Sequence, residues 1–167
     1  MAQLLTVPPS VTLSYQELRA AAYEGVNRQI RALCWDLKPL YGLGREEWLS
    51  HIWGALGECA VAKATGTYWG PTDGPDRHRP DVGTAFHVRT VKRAHYRLML
   101  HPDDPDEGVY VLVACQGLPR FEIVGQCVGR DGKREEYWED PVGGRPAYFV
   151  PHRILRPFII EEMTSWH

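Results

Sequence analysis

The residues with the most evident chemistry lie between Arg79 and Thr90, in the run Arg-Pro-Asp-Val-Gly-Thr-Ala-Phe-His-Val-Arg-Thr. Asp81 follows Pro80, and Gly83 marks a turn. Phe86, His87, Val88, Arg89 and Thr90 then alternate apolar and polar, which predicts a strand whose successive side chains point to opposite faces. Phe86 and Val88 supply the natural core face. His87 and Arg89 share the other and are expected to project into a cleft or into water. Asp81, just upstream across the turn, reaches the same side. A guanidinium stays protonated, so Arg89 cannot be a general base, but it can clamp a phosphate bidentately or stabilise developing charge.

The charge distribution fits such a role locally and not globally. The chain of 167 residues carries a formal net charge of -2, so it has no overall nucleic-acid signature. Yet Arg77, Arg79, Arg89, Lys92, Arg93 and Arg97 fall within 21 residues whose one acid is Asp81, with His78, His87 and His95 among them. The compensating acids cluster elsewhere, at Asp103, Asp104, Asp106 and Glu107 and at Glu135, Glu136, Glu139 and Asp140. A basic segment in a neutral chain fits a polyanion site, and it also fits a solvated strand face.

The elements that must position these groups follow from periodicity. Residues 1–13 read as extended, with Pro8 and Pro9 breaking any helix. Ser14 and Glu17 form a capping box, which predicts a helix to about Cys34 with an apolar stripe of Leu18, Ala21, Ala22, Gly25, Val26, Gln29, Ile30 and Leu33. A second helix is expected from near Arg45 to Gly66, burying Trp48, Ile52, Ala55, Leu56, Cys59, Ala60 and Ala62 and closed by Gly66. Glu58 sits in its apolar second half, where an unpaired carboxylate is costly; the bland alternative is a Glu facing solvent. Tyr68 to Pro80 is a loop. Trp69 and Tyr68 there are candidates to stack on a base or to anchor the loop.

Residues 85–93 and 96–101 are expected to be two strands joined tightly near Ala94 and His95. Pro102 to Gly108 is an acidic turn without calcium-ligand spacing. Val109 to Ala114 is a continuous apolar run, hence a central strand buried on both faces. Phe121 to Val128 is the next strand, with Gly125 at a bulge or close approach. Gly129 to Gly144 is a polar excursion with one helical turn near Arg134 to Trp138. Ala147 to Pro151 is a last strand and His152 to Leu155 a final turn. One α+β domain over residues 1–167 is therefore expected. It has a mostly antiparallel, mixed central sheet of four to five strands with two N-terminal helices on it.

Cys34, Cys59, Cys115 and Cys127 form no C-x-x-C pair and sit among apolar residues, so they read as buried free thiols of a cytoplasmic protein. His95 and His101, six apart, read as surface residues. No apolar run is long enough for a membrane span, and Met1 to Pro9 lacks the pattern of a signal peptide.

With the helix segment Gly54-Ala55-Leu56-Gly57-Glu58-Cys59-Ala60-Val61-Ala62, then Pro80-Asp81, then His87-Val88-Arg89, the chain resembles the PD-(D/E)XK nuclease superfamily over roughly residues 45–125. It is similar to small phage- or prophage-type members whose motif Lys is replaced by Arg. The resemblance implies a restriction-endonuclease-like fold, DNA as partner, and a divalent cation (magnesium or manganese) held by Glu58, Asp81 and His87. It implies catalytic roles for Glu58, Asp81, His87 and Arg89, and backbone contacts from Arg77, Arg79, Lys92, Arg93 and Arg97. His87 stands where the family has Glu, which removes an oxygen donor and offers a nitrogen suited to manganese or zinc. Lys92 is an alternative source of the lysine charge, although alternation places it opposite Arg89. Three readings follow: a metal-dependent DNA phosphodiesterase, the same fold without catalysis binding nucleic acid or a protein, and an unrelated small α+β domain. A homodimer is compatible with all three.

Overall fold

A computed structural model describes residues 8–35, 46–70 and 78–158. The first helix, α1 (Tyr15–Cys34), starts as its sequence dictates. The Glu17 backbone N–H donates to the Ser14 hydroxyl at 3.2 Å, and the Ser14 N–H donates to the Glu17 carboxylate at 2.6 Å. Two of the orphan donors at the helix start are thereby satisfied. The second helix, α2 (Glu47–Thr65), ends at Gly66 with φ 63°, a left-handed conformation that glycine adopts without strain.

The helices lie antiparallel and in close contact. A Cβ added at Gly25 would stand 2.4 Å from the Ile52 Cα. Gln29 donates to Glu47 at 3.1 Å, and Lys63 pairs with Glu17 at 2.8 Å. The seam of α1 is thus Ala21, Gly25 and Gln29, all buried. Ile30 and Leu33, expected on that seam, are instead 45 % and 59 % exposed, and Trp48 of α2 is 41 % exposed. The expected stripe was wider than the one face a helix can offer a single neighbour.

Four strands form a mixed sheet in the order β1 (Ser10–Thr12), β5 (Arg120–Val128), β4 (Val109–Cys115), β2 (Phe86–Val91). β5 runs antiparallel to both its neighbours, whereas β2 and β4 are parallel. β4 is central and buried on both faces, as its unbroken apolar run requires. Val111, Val113 and Cys115 face the cluster that contains Leu56, Ala60 and Val61 of α2. Tyr110 and Leu112 face a second cluster with Leu98, Leu100, Cys127 and Val150. The ladder between β4 and β5 shifts register after Leu112, opposite Gly125. A Cβ at Gly125 would meet the Arg156 carbonyl oxygen and the Leu155 Cβ, both at 2.9 Å, so bulge and close approach coincide there.

The expected hairpin after residue 93 does not form. The strand β3 (Leu98–Leu100) pairs antiparallel with β7 (Ala147–Val150), which also pairs with β6 (Trp138–Glu139), making a second, three-stranded sheet. Parallel strands need a long crossover, and residues 92–108 supply it. The excursion after β5 opens with the short helix α3 (Gly129–Gly132), followed by a 3₁₀ turn at Glu135–Tyr137 and, after β7, another at His152–Ile154. The architecture is α+β. Cys59, Cys115 and Cys127 are buried and free, but Cys34, at the end of α1, is exposed. No helix among the described residues is long and apolar enough to cross a membrane.

Candidate active site

Glu58 is buried at 4 % exposure on the side of α2 that packs against the sheet. It does not face solvent. Arg28 of α1 forks onto it, with Nη1 donating to Oε1 at 2.6 Å and Nη2 to Oε2 at 2.7 Å. The Trp69 indole N–H donates to Oε2 at 3.2 Å, so Trp69 anchors its loop on the carboxylate, while Tyr68 is 89 % exposed. Arg28 is fixed in turn by Glu24, which accepts from its Nε at 3.2 Å and also from Arg31 at 3.0 Å. Burial opposes charge on Arg28, yet Glu58 and then Glu24 hold the guanidinium firmly protonated.

Asp81 lies across the turn from the strand, but its carboxylate is held on the strand's edge and no bond joins it to His87 or Arg89 among the described residues. Val82 bridges to Phe86 around Gly83, whose φ is +60°. The Asp81 carboxylate accepts the Val88 N–H at 2.7 Å. This bond uses a donor on the outer edge of β2, since β4 occupies its other edge. Burial pushes the Asp81 carboxyl above the usual range; the Val88 hydrogen bond and then Arg89 and Arg28 oppose the shift, and Asp104 adds to it. Burial likewise raises Glu58 against the pull of Arg28, and the charge of Asp81 raises it further. The helix and the turn therefore bring buried Glu58 and half-buried Asp81 into electrostatic range of one another and of Arg28.

His87 and Arg89 share a face, as alternation requires, but that face is covered. His87 is 5 % exposed and stacks on Tyr110, its register neighbour on β4, with ring centroids 4.8 Å apart. Burial, followed by the charge of Arg89, lowers its pKa and favours the neutral ring. Arg89 Nη2 donates to both oxygens of Asp104, at 2.8 and 2.9 Å, with its guanidinium carbon 5.3 Å from the Tyr110 ring centre. The expected cleft is filled by the acidic turn at residues 102–107. Asp104 also accepts the His101 N–H, and Lys133 holds the turn through the carbonyls of Pro102 and Asp104 and the Asp106 carboxylate. The three-donor set of Glu58, Asp81 and His87 is not assembled. Among the described residues no three His, Cys, Asp or Glu side chains converge as a metal-holding group.

The basic residues divide. Arg79, Lys92 and Arg93 are exposed. Arg97 is spent on a fork to Glu139 at 2.6 Å and lies over the Phe149 ring, so part of the acid expected to stand apart is folded onto the basic segment. Arg77 lies outside the described residues. His95 is exposed, whereas His101 is half-buried rather than a surface residue. Burial lifts the Cys59 thiol to about 11, which leaves it inert as a nucleophile at neutral pH. The residues that sequence reasoning passed over are Arg28, Glu24 and Asp104. Glu24 and Arg28, four apart beside Gly25, carried a signal: an opposite-charge pair on the apolar side of a helix.

Comparison with protein-family models, with curated proteins and with solved structures finds no match.

Proposed function

We propose that this protein is a nuclease-like hydrolase that acts on DNA phosphodiester bonds with the help of a divalent cation. The observation that carries the reading is buried Glu58 with half-buried Asp81 close enough for its charge to act on it. Burial raises both carboxyls, the charge of Asp81 adds to the rise at Glu58, and carboxylates perturbed in this way concentrate at functional sites. Hard oxygen donors fit magnesium or manganese, which commonly takes one or two carboxylates and fills its remaining positions with water and phosphate oxygens. Glu58 and Asp81 would hold the ion, and His87 would not. A bound cation supplies Lewis acidity and a water of lowered pKa.

The chain's own residues do the remainder. Arg28 and Trp69 fix the Glu58 rotamer, and the Val88 N–H fixes Asp81. Arg89 reaches a phosphate only by exchanging Asp104 for it. Exposed Arg79, Lys92 and Arg93 supply sequence-independent contacts to the backbone. The three buried free cysteines, Cys59, Cys115 and Cys127, support a cytoplasmic setting.

A specific observation favours a second reading, a nuclease-like module that binds nucleic acid or a protein without cutting. Arg28 already occupies both oxygens of Glu58 and provides the positive charge that a metal would bring. Plasmid and single-stranded DNA incubated with magnesium, manganese or EDTA separate the two. Cleavage that needs metal and is lost in Asp81→Asn, with manganese raising the melting temperature of the parent protein alone, supports hydrolysis. Retardation of DNA that survives both EDTA and Asp81→Asn, without cleavage, supports the binding module. In that case Lys92→Ala and Arg93→Ala each lower the salt slope by about one. Indifference to DNA and to metal removes both readings.

A further inference from the structure

The side of α1 turned away from α2 is apolar as well. Tyr15, Tyr23, Ile30 and Leu33 are 71 %, 64 %, 45 % and 59 % exposed. With Arg19 and half-buried Val26 they recur at intervals of four, four, three, four and three residues, which keeps them on one stripe through the five turns of the helix. This is the spacing on which long helices pair. The flanking positions Gln16, Ala20, Ala22 and Asn27 carry no charge. We propose that this stripe is the contact of a homodimer in which α1 packs against α1 of a second copy, antiparallel about a two-fold axis near Glu24 and Gly25.

The charges select both the occupant and its direction. Arg19 is the one ionised residue in the stripe, and it already leans on Tyr15, 6.0 Å from the ring centre. In a parallel pair each Arg19 faces its counterpart. In the antiparallel pair it faces Ile30 of the other copy, and the two guanidinium groups stand roughly 16 Å apart along the axis at 1.5 Å per residue. Tyr23 then meets Val26 near the dyad, and Tyr15 meets Leu33. A patch with no acid offers nothing to a basic partner and a single cation to an acidic one, whereas its apolar residues are complementary to a second copy of themselves.

The area is of the right order. Taken at about 200 Å² per large side chain, the four residues expose roughly 500 Å², and the small flanking residues bring the patch toward the ~800 Å² per partner of a stable interface. Arg28 and Glu24 lie on the other side of α1, so pairing leaves the Glu58 and Asp81 site of each copy uncovered.

Light scattering and sedimentation of the purified chain test this, with Ile30→Glu and Tyr23→Glu as variants and circular dichroism to confirm that each is folded. The expected result is a dimer that each substitution converts to a folded monomer. Tyr23→Cys, beside the dyad, should crosslink to its mate under mild oxidation. Native Cys34 should not, because antiparallel pairing places the two copies of it about 28 Å apart along the axis. A parent chain that is monomeric, a dimer that survives both Glu substitutions, or a disulfide between the two Cys34 residues would each overturn the proposal.

Discussion

The two faces of β2 hold similar chemistry in opposite states. On the side away from the helices, Arg89 meets Asp104 one to one, His87 is stacked on Tyr110, and the acidic turn seals the surface. Toward α2, Glu24 and Glu58 share Arg28, with Arg31 also on Glu24, while Asp81 at the outer edge feels the charges of Arg89, Arg28 and Asp104; both Glu58 and Asp81 are pushed above the usual carboxylate range. The first arrangement is electrostatically closed. In the second, among the described residues, burial leaves the carboxyls of Glu58 and Asp81 raised in spite of their cationic neighbours. Alternation alone reveals that a strand has two kinds of face. It does not reveal which one keeps raised carboxyls.

The largest test of this contrast is truncation of the two arginines. Arg28→Ala leaves Glu58 and Glu24 buried without their main partner and should cost about 3–5 kcal/mol in denaturant unfolding. Arg89→Ala frees Asp104 at a less buried site and should cost about 2 kcal/mol. An equal or greater loss at Arg89 would break the distinction. A smaller effect concerns how tightly the helix lies on the strand. A Cβ at Gly57 would stand 1.9 Å from the Thr90 hydroxyl, a buried group with no hydrogen-bond partner. Gly57→Ala should cost about 1–3 kcal/mol by overpacking, and Thr90→Ala in the same chain should recover most of it.

The smallest effect is a slope. Burial raises the Asp81 carboxyl in the folded state, so its contribution to stability is fully present below the ordinary carboxylate pKa. That contribution is lost as pH rises through the folded value. In metal-free buffer the parent should therefore weaken as pH climbs out of the carboxylate range. Asp81→Asn, which keeps an acceptor for the Val88 N–H, should follow a flatter curve. Identical curves would mean that Asp81 carries no strain.

Much of the scaffold was legible because its signals are local. The capping box at Ser14, the stop at Gly66 and the unbroken run of β4 each declare themselves within a few residues. The partner of β3 did not, since a short strand's hydrogen bonds do not name their neighbour, and the turn at Ala94 and His95 looked sufficient for a hairpin. The site was legible in part for the same reason. Asp81 and Val88 are seven residues apart, so the turn between them was legible, although the bond to the Val88 backbone was not. Arg28 and Glu58 are thirty apart, and Arg89 and Asp104 fifteen, so only the folded chain could show that each finds the other.

The indole of Trp69 sits with its N–H on the carboxylate of Glu58. Its fluorescence therefore senses the electric field at that carboxylate, and an ion or proton that arrives there should change its colour and yield. The chain carries its own voltmeter, which the difference spectrum of Trp69→Phe would read without a label.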